Sequence, residues 1–336
     1  MTTMHVALWV IVALVVLALL FDFMNGFHDA ANSIATVVST GVLRPTQAVV
    51  FAAFFNFVAI FIFHLSVAAT VGKGIADKGV VDVYVVFGAL SGAITWNVIT
   101  WLYGIPSSSS HALIGGIVGA VMAKAGAGAL IGAGIMRTVT FIFVSPLLGY
   151  LFGSMMMVLV AWACRRVSPS RIDRWFRRLQ LVSAGAYSLG HGGNDAQKTI
   201  GIIWMLLIST GYASAADASP PTWTIVCCYL AIGAGTMFGG WRIVKTMGQK
   251  ITKLKPVGGF CAETGGALTL FIATAMGVPV STTHTITGAI VGVGSVQRAS
   301  AVRWGVAGNI VWAWILTIPA SAFVAAVGYW VSLQLY

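Results

Sequence analysis

The chain carries one motif twice. Residues 104–119 read GIPSSSSHALIGGIVG and residues 277–292 read GVPVSTTHTITGAIVG, so at an offset of 173 eight of sixteen positions are identical. A second pair accompanies the first. NGFHDAANSIA (25–35) aligns with HGGNDAQKTIG (191–201) at an offset of 166, matching Gly26 with Gly192, Asp29 with Asp195, Ala30 with Ala196 and Ile34 with Ile200. Two motifs recurring in one order mark an internal duplication, so the fold has to be built from two copies of one unit. In each GxP motif the proline presets φ for a helix start, and the Ser and Thr residues that follow suit its N-cap. Each copy is therefore a helix start rich in N–H and O–H donors, which attracts an anion.

Composition decides what surrounds that unit. With 58% hydrophobic and 8% charged residues and a mean hydropathy of +0.92, the chain would expose too much apolar surface to water. Its apolar runs are continuous rather than alternating, which favours helices over a barrel in a bilayer. The expected fold class is all-α. The expected architecture is a polytopic membrane protein of two inverted repeats with broken or re-entrant helices, in about 10–12 transmembrane segments.

The run at 6–21 is short for a span and ends at Asp22, which predicts a helix that breaks in the membrane and resumes near Ala30. Further runs lie at about 47–71, 80–103, 104–123, 137–163, 183–211, 222–243, 257–276, 278–297 and 304–333. Five segments per half is an odd number, so the second copy must run opposite to the first. Length alone does not tell a span from a re-entrant hairpin at 104–123 and 278–297. The expected division is a first repeat at 1–164, a basic connector with an amphipathic segment at 165–182, and a second repeat at 183–336.

The net charge of +11 sits mainly in short connections, among them Arg165, Arg166, Arg171, Arg174, Arg177 and Arg178. Such clusters orient a membrane protein and meet anionic lipid; nucleic-acid binding is not expected. Placing the connector in the cytoplasm also puts Arg44, the 245–255 lysines, Arg298 and Arg303 inside. Both termini then lie outside the cytoplasm, with the protein in the cytoplasmic (inner) membrane. The four cysteines, Cys164, Cys227, Cys228 and Cys261, show no metal-ligand spacing and read as packing residues. No cleaved signal peptide is expected, because the first apolar run lacks a basic leader.

Charged side chains at membrane depth are retained mostly where they bind or pair. Asp29 and Asp195 are the candidate cation or metal ligands; the competing reading pairs Asp195 with Lys198 and makes Asp29 a helix cap. Asn32, Ser33, Asn194 and Thr199 place neutral oxygens and donors around them, suited to Na+ or to an anion's oxygens. Glu263 has no acidic counterpart, since Leu90 aligns with it, and is a candidate proton carrier or ion ligand. His111 and His284 are matched and read as helix-positioning donors, whereas His28, His64 and His191 are unmatched and unassigned. The spacings Gly115/Gly119 and Gly288/Gly292 say that helices approach closely.

With these stretches in hand the sequence resembles the inorganic phosphate transporter family. NGFHDAANSIAT (25–36), the run from Trp96 to His111, HGGNDAQKTIG, GVPVSTTHT (277–285) and ETGGA (263–267) carry the resemblance over essentially the whole membrane region. It implies symport of inorganic phosphate. Asn32, Ser33, Asn194 and Thr199 would then lie at the substrate, with Ser108, Ser109, Ser110, Ser281, Thr282 and Thr283 as a hydroxyl cradle. Asp29, Asp195 and Glu263 would serve the coupling ion. The first motif reads GFHD where other members have an Asn before the Asp, which is similar to bacterial members regarded as proton-coupled, so H+ is expected over Na+. Such members are also thought to carry phosphate as a neutral complex with Mg2+ or another divalent metal. No resident cofactor is expected, and the sequence leaves the oligomeric state open, a homo-oligomer included.

The expected site offers an anion partial positive charge from two opposed helix starts, without a fixed cation. A bare anion beside the acids is disfavoured, so a cation or proton must bind with it; that linkage is the coupling. Rocking of the repeats, with the Gly-rich breaks as hinges, would expose the site to each side in turn. Sulfate or another oxyanion is the alternative substrate. An enzyme is not expected, because Ser107 to Ser110 beside His111 lack an orienting acid, and no charged rings argue for a channel.

Overall fold

The apolar runs fold as helices in two sets with the same order. The computed structural model describes residues 6–77 and 79–335; residues 1–5, Lys78 in the 72–82 loop and Tyr336 lie outside the described residues. The first set is α1 (Leu8–Ser39), α2 (Pro45–Val58), α3 (Ser66–Gly74), α4 (Val83–Tyr103), α5 (Ser109–Ala125) and α6 (Gly132–Ala163). The second is α7 (Pro169–Ser209), α8 (Thr222–Phe238), α9 (Trp241–Lys245), α10 (Pro256–Ala275), α11 (Thr282–Gln297) and α12 (Trp304–Leu335). The α2–α3 pair bends by 78°, and its counterpart, α8 with α9 and the π turn that extends it, bends by 61°. Only an isolated bridge between Ala76 and Leu130 departs from all-α structure among the described residues.

Two faces follow from which connections touch. On one face, Arg177 of α7 donates to the Gly41 carbonyl (3.1 Å), Arg303 N–H bonds Ile251, and a cavity of about 490 Å³ joins Ser39 to Lys250, Lys253 and Arg303. On the other, Lys73 Nζ donates to the Asp217 carbonyl (2.8 Å) and Trp9 and Ser332 line one cleft. The described ends of the chain thus share a face. α1 runs from that face to the basic one and α7 runs back, which is the inversion expected from the odd segment number. Large apolar side chains such as Leu8, Val16, Phe54, Phe143, Leu151 and Phe323 are exposed, as a hydrocarbon environment requires.

α4 and α5 enter and leave by one face. Asp82, which caps α4 by accepting from Val85 N–H, also pairs with Lys124 at the end of α5 at 2.5 Å. Gly258 near the start of α10 likewise lies against Gln297 at the end of α11. Both pairs are re-entrant hairpins rather than two crossings each, and the parity behind the inversion survives because three traversing elements per half is still odd. Each hairpin is clasped by the last helix of the other half: α12 covers α4 and α5, and α6 covers α10 and α11.

One expectation about continuity is corrected. α1 does not break at Asp22; it runs unbroken for 32 residues through the DFMNGFHDAANS stretch. Asp22 is buried against α7, where it accepts from Thr199 Oγ1 (2.9 Å), so its polar group is met by a neighbouring helix and no backbone break is needed. Most of the connector is helix too, since α7 spans 41 residues from Pro169. Within it Phe176 is buried on Phe260, while Trp175 and Leu179 are exposed.

Candidate functional site

The duplicated GxP motif makes the tip of each hairpin. Gly104 (φ 65°) and its counterpart Gly277 (φ 67°) end α4 and α10 in the left-handed region, which a side chain would strain. The N–H of the residue after each then bonds back five residues, Ile105 to Thr100 and Val278 to Ala273, both at 2.9 Å. Pro106 and Pro279 prevent the old helix from continuing. Ser108 and Ser281 start the new one, their hydroxyls accepting from His111 N–H (3.2 Å) and His284 N–H (3.1 Å). The two tips meet: Ser110 Oγ donates to the Val280 carbonyl (3.1 Å), and the His111 and His284 rings pack edge to face with centroids 4.5 Å apart. His284 also stacks on Trp314 at 3.8 Å, so the matched histidines join the hairpins to each other and to α12.

α1 and α7 bring their aspartates to this junction. Ser109 Oγ donates to Asp29 Oδ2 (2.8 Å) and lies 2.6 Å from Asn25 Oδ1, while His28 Nδ1 lies 2.7 Å from Asp29 Oδ1. In the other half Thr282 Oγ1 donates to Asp195 Oδ2 (3.2 Å), with His191 Nε2 at 3.3 Å and Lys198 Nζ at 2.5 Å from Asp195. Asn32 Nδ2 donates to Thr282 Oγ1 (3.1 Å) and Thr283 Oγ1 (2.9 Å), so α1 reaches the second hairpin. Lys198 Nζ donates to Ser110 Oγ and to the Val280 carbonyl, so α7 reaches the first. Asn32 Oδ1 and Ser33 Oγ are buried without a hydrogen-bond partner among the described residues.

Asp29, Asp195, Asn32, Ser109, Ser110, Thr282 and Thr283 are therefore brought together, with Ser33 one turn along α1 from Asp29. Ser108 and Ser281 spend their hydroxyls on capping. Asn194 holds the second tip from behind, donating to the Val278 carbonyl (3.1 Å) and accepting from Val280 N–H (3.1 Å). Thr199 is turned to Asp22. Glu263 is not at the junction: it accepts from Gln180 Nε2 (2.9 Å) and Ser183 Oγ (2.5 Å), and Ser183 precedes Asp195 on α7 by twelve residues, about 18 Å of helix. None of the thirteen candidates exceeds 2% exposure, so the junction is closed to both faces. The expectation of a site without a fixed cation is corrected, because Lys198 stands between the tips. Motif matching leaves His28 and His191 unassigned, reads Asp22 as a helix break, and names Lys198 only as the competing partner of Asp195, with which it does pair. All lie inside the two Asp motifs or one turn away, but none has a like residue in the other half.

Asp29, His191 and Asp195 place one ligand atom each within 4.8 Å of one another. Two carboxylates and an imidazole are a donor set that suits a divalent ion. Across the described residues no other group of three or more His, Cys, Asp or Glu side chains converges in this way.

Comparison with known proteins bears on the whole chain. The sequence model described as the phosphate transporter family matches residues 25–171 and 163–325, which together span most of the chain. A probable low-affinity inorganic phosphate transporter of Rhizobium meliloti (strain 1021) is 59% identical over 319 residues, covering 95% of both chains. One of the same description from Bacillus subtilis (strain 168) is 43% identical over 330 residues, covering 98% of both. Among solved structures, one titled the sodium-dependent phosphate transporter superposes with a TM-score of 0.89 at 25% identity, covering 98% of this chain and all of the other. The protein is a polytopic membrane transporter rather than an enzyme, and it belongs to the phosphate transporter family.

Proposed function

We propose that the chain is a secondary symporter that carries inorganic phosphate across the cytoplasmic membrane, coupled to protons, with phosphate taken as a neutral complex with a divalent metal such as Mg2+. The observation that carries this reading is the meeting of two hydroxyl-bearing hairpin tips, from oppositely directed repeats, against Asp29 and Asp195. Phosphate oxygens would take the donors of Ser109, Ser110, Thr282 and Thr283 together with the free N–H groups that start α5 and α11. Those hydroxyls now serve the two aspartates, Asn32, Lys198 and the Val280 carbonyl, so substrate binding exchanges internal hydrogen bonds for equivalent ones and release stays possible. The metal would sit on Asp29, His191 and Asp195, whose two carboxylates would otherwise repel the anion.

Proton coupling is supported by an imidazole at each aspartate, His28 at 2.7 Å and His191 at 3.3 Å, since such pairs carry protons between water and a buried site. Glu263, with Gln180, Ser183 and Thr40 leading from it towards the basic face, supplies a further carrier on that side. The basic face is the cytoplasmic one and both termini lie outside. Sodium is the competing ion, because the structural neighbour is titled as sodium-dependent.

Uptake of labelled phosphate into proteoliposomes with independently imposed H+, Na+ and Mg2+ gradients tests the proposal. The expected result is saturable uptake, driven uphill by a proton gradient directed inwards, requiring divalent metal and indifferent to Na+. Uptake driven by Na+ alone replaces the proton, and sulfate competing as well as phosphate replaces the substrate.

A further inference from the structure

Two contacts at the junction recur in both halves, and one of them changes its chemistry. Asp29 with Ser109 corresponds to Asp195 with Thr282, because the offsets of 166 and 173 carry one pair onto the other, at 2.8 and 3.2 Å. Asn32 reaching across to Thr283 corresponds to Lys198 reaching across to Ser110, since 32 and 198 differ by 166 and 110 and 283 by 173. The geometry is the same and the chemistry is not. Where the first half has a neutral amide, the second has an ammonium.

That ammonium is surrounded as a small cation would be. Its neighbours are a carboxylate oxygen of Asp195, the hydroxyl of Ser110 and the carbonyl of Val280, and Lys198 is 2% exposed. Carboxylate, hydroxyl and carbonyl oxygens are the ligands that hard monovalent cations take. The halves also differ in what is left over. Beside Asp29, the oxygens Asn32 Oδ1 and Ser33 Oγ have no partner among the described residues. Beside Asp195 the corresponding Thr199 hydroxyl bonds Asp22, and Lys198, the residue matched to Asn32, carries no oxygen to offer.

We infer that Lys198 is a built-in cation: its ammonium fills the place that a monovalent metal ion would occupy at Asp195, so the second half of the junction needs no such ion for transport. The inference deepens the proposed function, resting on the reading of the two aspartates as the cation side of the site. It makes Lys198 the residue that removes a sodium requirement from the second half. Asn, the residue at the matched position 32, is the change that should restore one.

The test is thermal unfolding of purified protein in detergent, in sodium chloride against choline chloride at equal ionic strength. Lys198→Asn and Lys198→Ala should both be stabilised by sodium, with a midpoint rise at saturating ion about 3 °C or more beyond that of the wild type. In proteoliposomes Lys198→Asn should in addition acquire stimulation of phosphate uptake by Na+. Equal midpoints in the two salts for both variants overturn the inference, as does an equal rise in the wild type. Failure of both variants to survive purification in sodium buffer overturns it too, because a sodium ion in the ammonium's place would hold the same oxygens. Wild-type vesicles separate the two claims. If they take up no phosphate the proposed function fails; if they do and sodium leaves both variants unmoved, this inference fails alone.

Discussion

Asp29 and Asp195 occupy matched positions but answer to different partners, so neutralising them should have unequal costs. Asp29 faces imidazole, hydroxyl and amide groups, and Asp29→Asn should abolish phosphate uptake in proteoliposomes while leaving the unfolding midpoint close to wild type. Asp195→Asn should abolish uptake as well and also destabilise by about 3–5 kcal/mol, because it strands the buried ammonium of Lys198. Equal stabilities would mean that Lys198 finds its compensation elsewhere. The hydroxyls divide similarly. Ser109→Ala with Thr282→Ala removes groups facing the junction and should raise the phosphate KM at least about tenfold, the factor for one lost bond to a charged group. Ser281→Ala removes a helix cap and should instead cost about 1 kcal/mol of stability. An unchanged KM in the double variant would place the phosphate elsewhere. The aspartates, Ser109 and Thr282 are legible in the sequence because duplication repeats them. The Asp195–Lys198 pair is legible only as one of two readings and the roles of the two histidines not at all, because matching halves discards the residues in which the halves differ, and those are where an asymmetric chemistry has to reside.

Helices were legible as apolar runs, but where a run is interrupted was not. A polar residue in an apolar stretch reads alike whether it breaks a helix, as expected at Asp22, or meets a partner on a neighbour, as Asp22 meets Thr199. The actual break after α2, at residues 62–65, lies in IFHL, which contains neither Gly nor Pro, so nothing local announces it. The hairpins depend on contacts that spacing did foretell. Hydrogens aside, a Cβ on Gly119 of α5 would lie 2.1 Å from the Ala322 carbonyl oxygen of α12, and one on Gly288 of α11 would lie 2.1 Å from the Pro146 carbonyl oxygen of α6. Backbone cannot yield as a flexible side chain can, so the hairpin and its clasping helix must part. Gly119→Ala and Gly288→Ala should each lower the unfolding midpoint and slow uptake, whereas Gly308→Ala on α12, with no atom within 4 Å, should change neither. Wild-type behaviour of Gly119→Ala would show that the clasp is loose enough to slide.

Over the whole molecule, inversion follows from an odd number of traversing elements and charge then fixes the direction. One face gathers Arg44, the arginines at 165–178, Lys245 to Lys255, Arg298 and Arg303, while the face holding the described chain ends shows Lys73, Lys124 and Arg137 set among Asp77, Asp82 and Asp217. Because cationic connections stay on the side of synthesis, the first face should be cytoplasmic. A symporter needs this orientation as well as the fold, since the gradient that drives uptake has a sign. The four native cysteines are free, so they can be replaced by alanine and single new ones introduced at exposed serines on either face. Ser219→Cys should react with a membrane-impermeant maleimide on intact spheroplasts, and Ser170→Cys only after the membrane is opened. Reversal of that pattern would turn the protein over, put the basic cavity beside Ser39 on the outer surface, and require that Glu263 meet the outside solution before Asp29 does. Labelling of both from outside would be harder to reconcile, because α7 carries the chain from Ser170 through Asp195 to the face of Ser219 in a single unbroken helix.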